Sequence, residues 1–216
     1  MKCIRTKVIG CGHYLPSKVL TNDDLSKMVE TNDEWISTRT GIRSRHIASE
    51  EEVTSDLALK AVHMALKNAE IEASELDLIL VATATPDKTT PATACKLAGK
   101  LGVKVGTPAF DLNAACSGFV YAMTMVDNMI RLGQIKTAAV IGVETLSRIV
   151  DWTDRNTCVL FGDGAGAVIV QASEGEGTAA DTGVLATKIY ADGSQTENLY
   201  ATGGVSETRT AGFIKM

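Results

Sequence analysis

The chain has 216 residues, a formal net charge of −5, 45% hydrophobic residues and 22% charged residues. This is ordinary globular composition with enough apolar side chain for a sizeable core, and its acidic balance argues against nucleic acid or an anionic membrane surface as partner. No apolar run reaches the roughly 18 residues of a membrane span, and Met1-Lys2-Cys3-Ile4-Arg5 is not followed by the apolar segment of a secretion signal, so no signal peptide is read.

In chain order, residues 7–10 read as a first strand ended by Gly12 and Pro16. Thr21-Asn22-Asp23-Asp24 is a helix start, and Asn32-Asp33-Glu34 opens another short helix before Gly41. Residues 55–68 place Leu57, Ala58, Ala61, Val62, Ala65 and Leu66 on one helical face. Residues 76–82 are nearly all apolar after Asp77, which suits a strand covered on both faces. A helix over 93–101 stops at Gly102, a strand covers 109–112, a helix over 117–132 stops at Gly133, and a buried strand covers 137–143. The alternation predicts an α/β fold: a mostly parallel sheet, helices on both faces, right-handed crossovers. Beyond Val143 the rhythm changes. Residues 158–161 and 167–170 read as strands joined by Gly162-Asp163-Gly164-Ala165-Gly166. A polar, Gly-rich stretch over 171–183 carries a boundary, which gives segments 1–172 and 173–216, and a new strand starts at 184–190.

The five cysteines are Cys3, Cys11, Cys95, Cys116 and Cys158. Their odd number without a secretion signal does not suggest a disulfide framework, and no Cys-x-x-Cys pair supports zinc or thioredoxin-type chemistry. Each alone reads first as a small buried hydrophobe. Cys116 differs in context, because it lies between a buried strand and the start of an amphipathic helix. Unpaired N–H groups and the positive end of the helix dipole favour a thiolate there and offer an oxyanion donor. Ala115, Ser117 and Gly118 are small enough to admit a bulky thioester, and Phe119, Val120, Met123, Val126 and Ile130 line the following helix.

The segment Ala114-Ala115-Cys116-Ser117-Gly118-Phe119 resembles the nucleophile motif of the ketoacyl synthase III family. Asp33-Glu34-Trp35-Ile36-Ser37-Thr38-Arg39-Thr40-Gly41-Ile42-Arg43 is similar to its CoA-entrance segment. Thr153-Asp154-Arg155-Asn156-Thr157 is similar to the loop with a CoA-contacting arginine, and Phe161-Gly162-Asp163-Gly164-Ala165-Gly166-Ala167 to its glycine-rich hairpin. The order and spacing span nearly the whole chain. The resemblance implies a thiolase-like fold, with a first βαβαβαββ half complete and a second half begun. It also implies a ping-pong reaction: Cys116 takes an acyl group from acyl-CoA, then a malonyl group on acyl carrier protein loses CO2 and attacks the acyl-enzyme. No resident cofactor or metal is expected, since acyl-CoA and malonyl carrier protein are substrates. A cytoplasmic homodimer is implied, with residues 85–91 near the partner.

Trp35 and Arg155 match the pair that sandwiches the adenine of CoA in this family, an indole and a guanidinium stacking on either side of a purine. Taken alone, Trp35 reads as an anchor of a short helix and Arg155 as a solvated loop charge. Thr31 and Arg39 match positions near the pantetheine and phosphate groups, although Arg39, Arg43 and Arg45 lie close together and each could pair with a carboxylate. Phe161 reads as a wall of the acyl tunnel or as core packing. Thr90 stands where many relatives carry an aromatic that shortens the neighbouring subunit's acyl pocket, so a longer or branched primer is expected to fit. The glycines at 162–166 are not a dinucleotide fingerprint, because strand and not helix follows them.

The family's malonyl-binding histidine and asparagine lie on segments beyond residue 216, and none of His13, His46 or His63 matches that role. A truncated or processed chain, or a missing partner chain, is therefore expected. The rival readings are a related thiolase-fold acyltransferase, such as a hydroxymethylglutaryl-CoA synthase or a biosynthetic ketosynthase, a non-catalytic CoA- or carrier-protein-binding subunit, and a redox-responsive cysteine protein. The 216-residue chain is expected not to release CO2 from malonyl thioesters. Decarboxylation well above that of a Cys116→Ala control would refute this.

Overall fold

The computed structural model describes residues 2–210 and 212–215. The elements in order are β1 (Cys3–Tyr14), β2 (Lys18–Thr21), α1 (Asn22–Leu25), α2 (Asp33–Thr40), β3 (Ser44–Ile47), α3 (Thr54–Ala69) and β4 (Leu78–Ala82). There follow α4 (Thr93–Leu101), β5 (Ala109–Leu112), α5 (Gly118–Arg131), β6 (Thr137–Thr145), β7 (Asp163–Gly175), β8 (Tyr200–Ala201) and β9 (Ile214–Lys215). They fall into two units. The first comprises Met1–Tyr14, Glu52–Glu144 and Ala165–Tyr190, and the second Leu15–Glu51, Thr145–Gly164 and Ala191–Met216. The expected boundary after residue 172 falls within β7.

In the first unit the strands lie in the order β1-β7-β6-β4-β5. β4 is parallel to both β5 and β6, whereas β1 runs antiparallel to β7 with an irregularity between Val8 and Gly10. The sheet is therefore mixed, with a parallel portion. Its crossovers β4-α4-β5 and β5-α5-β6 step in opposite directions, so right-handedness puts α4 and α5 on opposite faces. The side chains agree. Leu78, Leu80 and Ala82 pack with Ala122, Val126 and Ile130 of α5, which leaves Ile79 and Val81 to the other face by strand alternation. All five residues of β4 are buried, as the apolar run predicts.

The first strand is longer than expected and runs through Gly10 and Gly12. α3 lies so close to it that a Cβ at Gly10 would stand 2.4 Å from the Ala65 carbonyl oxygen, and one at Gly12 2.2 Å from that of Ala61. These glycines mark helix-on-strand packing, not a strand end. The N-cap of α4 is Ala92, whose side chain offers no acceptor. Asp111 of β5 supplies one instead: its two carboxylate oxygens accept the N–H groups of Thr93 and Ala94, both at 2.7 Å.

In the second unit, β2 and β3 form an antiparallel ribbon. Thr21 and Asp24 make a capping box for α1, Asn32 caps α2 through the N–H of Trp35, and Gly41 ends α2 with φ +74°. The apolar cluster joins Leu25, Ile36, Val150, Cys158, Val159 and Ile214. Two strand expectations fail. Residues 158–160 are turn and Phe161 is irregular, with the Cys158 N–H donating to the Asp154 carbonyl and the Leu160 N–H to that of Thr157, because a short apolar run has no period that separates strand from buried turn. The glycine-rich segment is no hairpin, since Asp163 already begins β7. In the first unit, the strand expected at 184–190 reduces to one bridge between Val184 and Thr6.

Asp111→Ala is expected to destabilise the fold by about 1–2 kcal/mol, the worth of a lost helix cap. Urea denaturation would show a lower midpoint at unchanged slope, and a loss of only a few tenths of a kcal/mol would dismiss the cap.

Candidate active site

Cys116 sits in a 3-10 turn, Ala115–Ser117, between β5 and the first residue of α5, and it is exposed. The turn is built locally. Asn113 Oδ1 accepts the Ala115 N–H at 3.1 Å, and the Ser117 N–H donates to the Ala114 carbonyl at 3.1 Å. Ala115 takes φ +45°, in the left-handed region that alanine enters at a cost of order 1–3 kcal/mol. That twist turns the chain sharply from strand to helix and leaves the Cys116 side chain outside. Gly118 is buried, as are Val126 and Ile130, while Phe119 and Val120 at the start of α5 are 37% and 50% exposed. The helix is thus anchored by its middle and presents an apolar surface beside the thiol. The site lies beyond the carboxyl ends of parallel strands, where open α/β sheets bind ligands.

Glu144, near the end of β6 in the same unit, is a feature that sequence reading passes over. Its Oε1 accepts the Ala84 N–H at 2.8 Å and its Oε2 accepts the Thr85 hydroxyl at 2.5 Å. Burial pushes its carboxyl up, against these hydrogen bonds. Asp87 accepts the Ser55 N–H at 2.8 Å and the Ser55 hydroxyl at 2.7 Å, and pairs with Lys96. Burial acts to raise the Asp87 carboxyl, but Lys96 and Ser55 outweigh it and hold the group below the usual carboxylate range. The stem of the loop after β4 is therefore clamped, and Thr90 stands exposed at its tip beside Thr89 and Pro91.

The remaining site candidates belong to the second unit. The Trp35 ring carries two guanidinium groups, Arg155 with Cζ 4.2 Å from its centroid and Arg39 with Cζ 4.8 Å. Arg39 also donates to the Trp35 carbonyl at 3.3 Å. Trp35 and Arg155 are thus in direct cation–π contact, with no gap for a purine between them. Thr31 Oγ1 and Arg155 Nε are buried without a hydrogen-bond partner, an unusual state for side-chain polar atoms and one that a bound ligand would relieve. The turn presenting Arg155 is held by Asp154, which accepts the Asn156 N–H at 3.0 Å and the Thr157 hydroxyl at 3.0 Å. Just before it, the Thr153 hydroxyl and N–H, together with Lys215, hold the Asp151 carboxyl down to about 2. Phe161 packs on the apolar cluster of this unit. Arg43 faces Asp33 at 3.6 Å on the surface, whereas Arg45 is buried.

The histidines take ordinary places. His13 and His63 are exposed, and His46 Nδ1 lies 2.6 Å from the Pro16 carbonyl oxygen. Asp163 shows what the glycine-rich segment does. Its buried carboxylate accepts the Ala48 N–H at 2.7 Å, the Ser147 N–H at 2.8 Å and the Ser147 hydroxyl at 2.6 Å. Beside it, a Cβ on Gly162 would stand 2.8 Å from Arg45 Cβ and 3.0 Å from the His46 carbonyl oxygen. An open cavity of about 550 Å³ in the same unit, lined by Lys18, Leu20, Met28, Ile47, Ser147 and Trp152 among others, contains none of the expected site residues.

Residues 110–193 match the family described as 3-Oxoacyl-[acyl-carrier-protein (ACP)] synthase III. The beta-ketoacyl-[acyl-carrier-protein] synthase III of Rhodospirillum centenum is 58% identical over 99% of this chain and 65% of its own length. The crystal structure of 3-oxoacyl-[acyl-carrier-protein] synthase III from Aquifex aeolicus is 50% identical and superposes with a TM-score of 0.87, over 98% of this chain and 64% of that one. The corresponding structure from Pseudomonas aeruginosa is 40% identical with a TM-score of 0.88, over 98% of this chain and 63% of that one. The chain spans about 65% of the length of the curated relatives.

Gly162→Ala is expected to cost about 1–3 kcal/mol by overpacking against Arg45 and the β3 backbone. Chemical denaturation measures it, and an unchanged stability would mean that the two segments separate freely.

Proposed function

We propose that the chain is a member of the 3-oxoacyl-[acyl-carrier-protein] synthase III family and carries the acyl-accepting machinery of a condensing enzyme that initiates fatty acid synthesis. The observation that carries this reading is the exposed Cys116 in a strained turn at the start of α5, within the stretch that matches the family. In the proposed first half-reaction the Cys116 thiolate attacks the carbonyl carbon of acyl-CoA. A new S–C bond forms, the S–C bond to CoA breaks, and CoA leaves as a thiolate that takes up a proton. N–H groups at the helix start stabilise the oxyanion. In the second, malonyl on acyl carrier protein loses CO2, and the electron pair of the broken C–C bond forms an enolate. The enolate attacks the acyl carbonyl, a C–C bond forms, and the Cys116 thiolate is released with the 3-oxoacyl product. In the family a histidine and an asparagine hold the malonyl thioester during that step, a role given to none of His13, His46 or His63. The chemistry calls for no metal and no resident cofactor.

Trp35 and Arg155 are proposed to bind the adenine of CoA, and Thr31 and Arg39 to lie near its pantetheine and phosphate groups. Thr31 Oγ1 and Arg155 Nε, two of the five buried side-chain atoms without a hydrogen-bond partner among the described residues, support this. Because Arg155 rests on Trp35 without ligand, it must swing off the indole before a purine stacks there. Thr90, a small residue at an exposed loop tip, is proposed to leave room for primers longer or more branched than acetyl. A cytoplasmic homodimer completes the proposal. β5 ends the row of strands, so its open edge is available to a second copy.

Incubation with acetyl-CoA followed by peptide mass spectrometry is expected to show an acetyl adduct on Cys116, absent from Cys116→Ser. A folded chain whose thiol reacts with iodoacetamide but takes no acetyl group would defeat the proposal in favour of a binding role. The same labelling with competing acyl-CoA thioesters reads primer choice, and strict acetyl preference would remove the role given to Thr90.

A further inference from the structure

We propose that Arg45 is a positioning residue that sets the Trp35 segment against the Arg155 segment and so builds the nucleotide stack. The inference rests on the reading of Trp35 and Arg155 as a CoA subsite and deepens it. Arg45 is 5% exposed, and the acceptors its guanidinium meets are neutral oxygens, not carboxylates. A guanidinium buried without a carboxylate partner is costly unless fixed dipoles replace its water. Three acceptors from two stretches of chain do so at the terminal nitrogens, while Nε is buried without a hydrogen-bond partner. Nη1 donates to the Leu20 carbonyl of β2 at 3.1 Å, and Nη2 donates to Asn22 Oδ1 at 2.9 Å and to the Val159 carbonyl at 3.1 Å.

Two of these contacts lead to the stack. Asn22 is 2% exposed, and its Nδ2 donates to Asp33 Oδ1 at 2.8 Å and to the Ile42 carbonyl at 2.8 Å. The amide cannot be flipped, because its oxygen must face the guanidinium and its nitrogen the carboxylate. Asp33 is the first residue of α2, two positions before Trp35. In the other direction, Val159 follows the turn in which the Cys158 N–H donates to the carbonyl of Asp154, next to Arg155. One planar fork therefore ties the stretch that anchors the start of α2 to the stretch that follows Arg155. A lysine ammonium, as a single compact point charge, does not reproduce that geometry.

The test reads Trp35 directly. The chain has two tryptophans, so a Trp152→Phe background leaves Trp35 as the sole tryptophan, excited selectively at a wavelength the tyrosines do not absorb. Acrylamide quenching, thermal unfolding and CoA titration are measured in that background for Arg45→Lys, Asp33→Ala and Asp33→Asn. Asp33 is half-exposed, so its variants keep the fold even if Arg45→Lys does not. Asp33→Ala, and Arg45→Lys where folded, are expected to raise the quenching constant about two-fold as the guanidinium cover of the indole loosens. They are also expected to weaken CoA binding about ten-fold, with the unfolding midpoint little changed. Asp33→Asn retains an acceptor for Asn22 and is expected to behave like the parent. Parent-like quenching in Asp33→Ala would overturn the proposal, as would Asp33→Asn matching Asp33→Ala. If the parent itself fails to bind CoA, the nucleotide reading falls, and the quenching series still decides whether Arg45 positions the stack.

Discussion

Carboxylates that accept main-chain N–H groups from a distant segment hold loops and helix starts within each of the two units. Within the first unit, Asp111 takes the opening N–H groups of α4, Glu144 takes that of Ala84, and Asp77 takes those of Lys136 and Thr137 where β6 begins. Within the second, Asp163 takes those of Ala48 and Ser147. Each such bond joins a full negative charge to a fixed dipole and is stronger than a neutral pair. Loops otherwise rely on water for their polar groups, so these clamps give irregular chain the rigidity usually supplied by ladders. In each case the acid lies on or beside a β-strand, which transmits the order of the sheet to the loop.

The candidate residues show two contrasting kinds of preparation. The Cys116 turn is preformed, with its Asn113 contact, its left-handed alanine and the helix behind it already in place. The Trp35 cluster is self-occupied: two guanidinium groups cover the indole, and two polar atoms are left without partners. Preformed geometry suits bond formation, which depends on alignment. A self-covered aromatic suits reversible capture, because ligand stacking replaces one favourable contact with another.

The helices were legible in the sequence wherever a period and a stop signal coincided. Thr93–Leu101 with Gly102 and Asp33–Thr40 with Asn32 and Gly41 stand where the pattern puts them. The βαβαβαββ order is found in the first unit as β1-α3-β4-α4-β5-α5-β6-β7. The antiparallel pairing of β1 with β7 was not legible, since it joins residues about as far apart in the chain as Cys3 and Gly175, and strand periodicity is silent on direction. Residues 158–161 misled because four apolar side chains bury equally well in a turn. Cys116 was legible because its signal is local: small neighbours, a strand before it and a helix after it. Arg45, Glu144 and Asp163 were not, since a side chain that reaches a remote backbone leaves no spacing to read. A faint signal existed for Glu144, an acid at the end of an otherwise apolar strand.

The alanine at position 115 has a cost that natural variation could remove. Glycine occupies left-handed backbone freely, and asparagine does so more readily than alanine. Either would relax the bend without touching the core, so selection for heat resistance alone would favour replacing it. Keeping alanine there trades robustness for a stiffer corner under the sulfur, and directed evolution towards higher melting temperature would tend to soften that corner first.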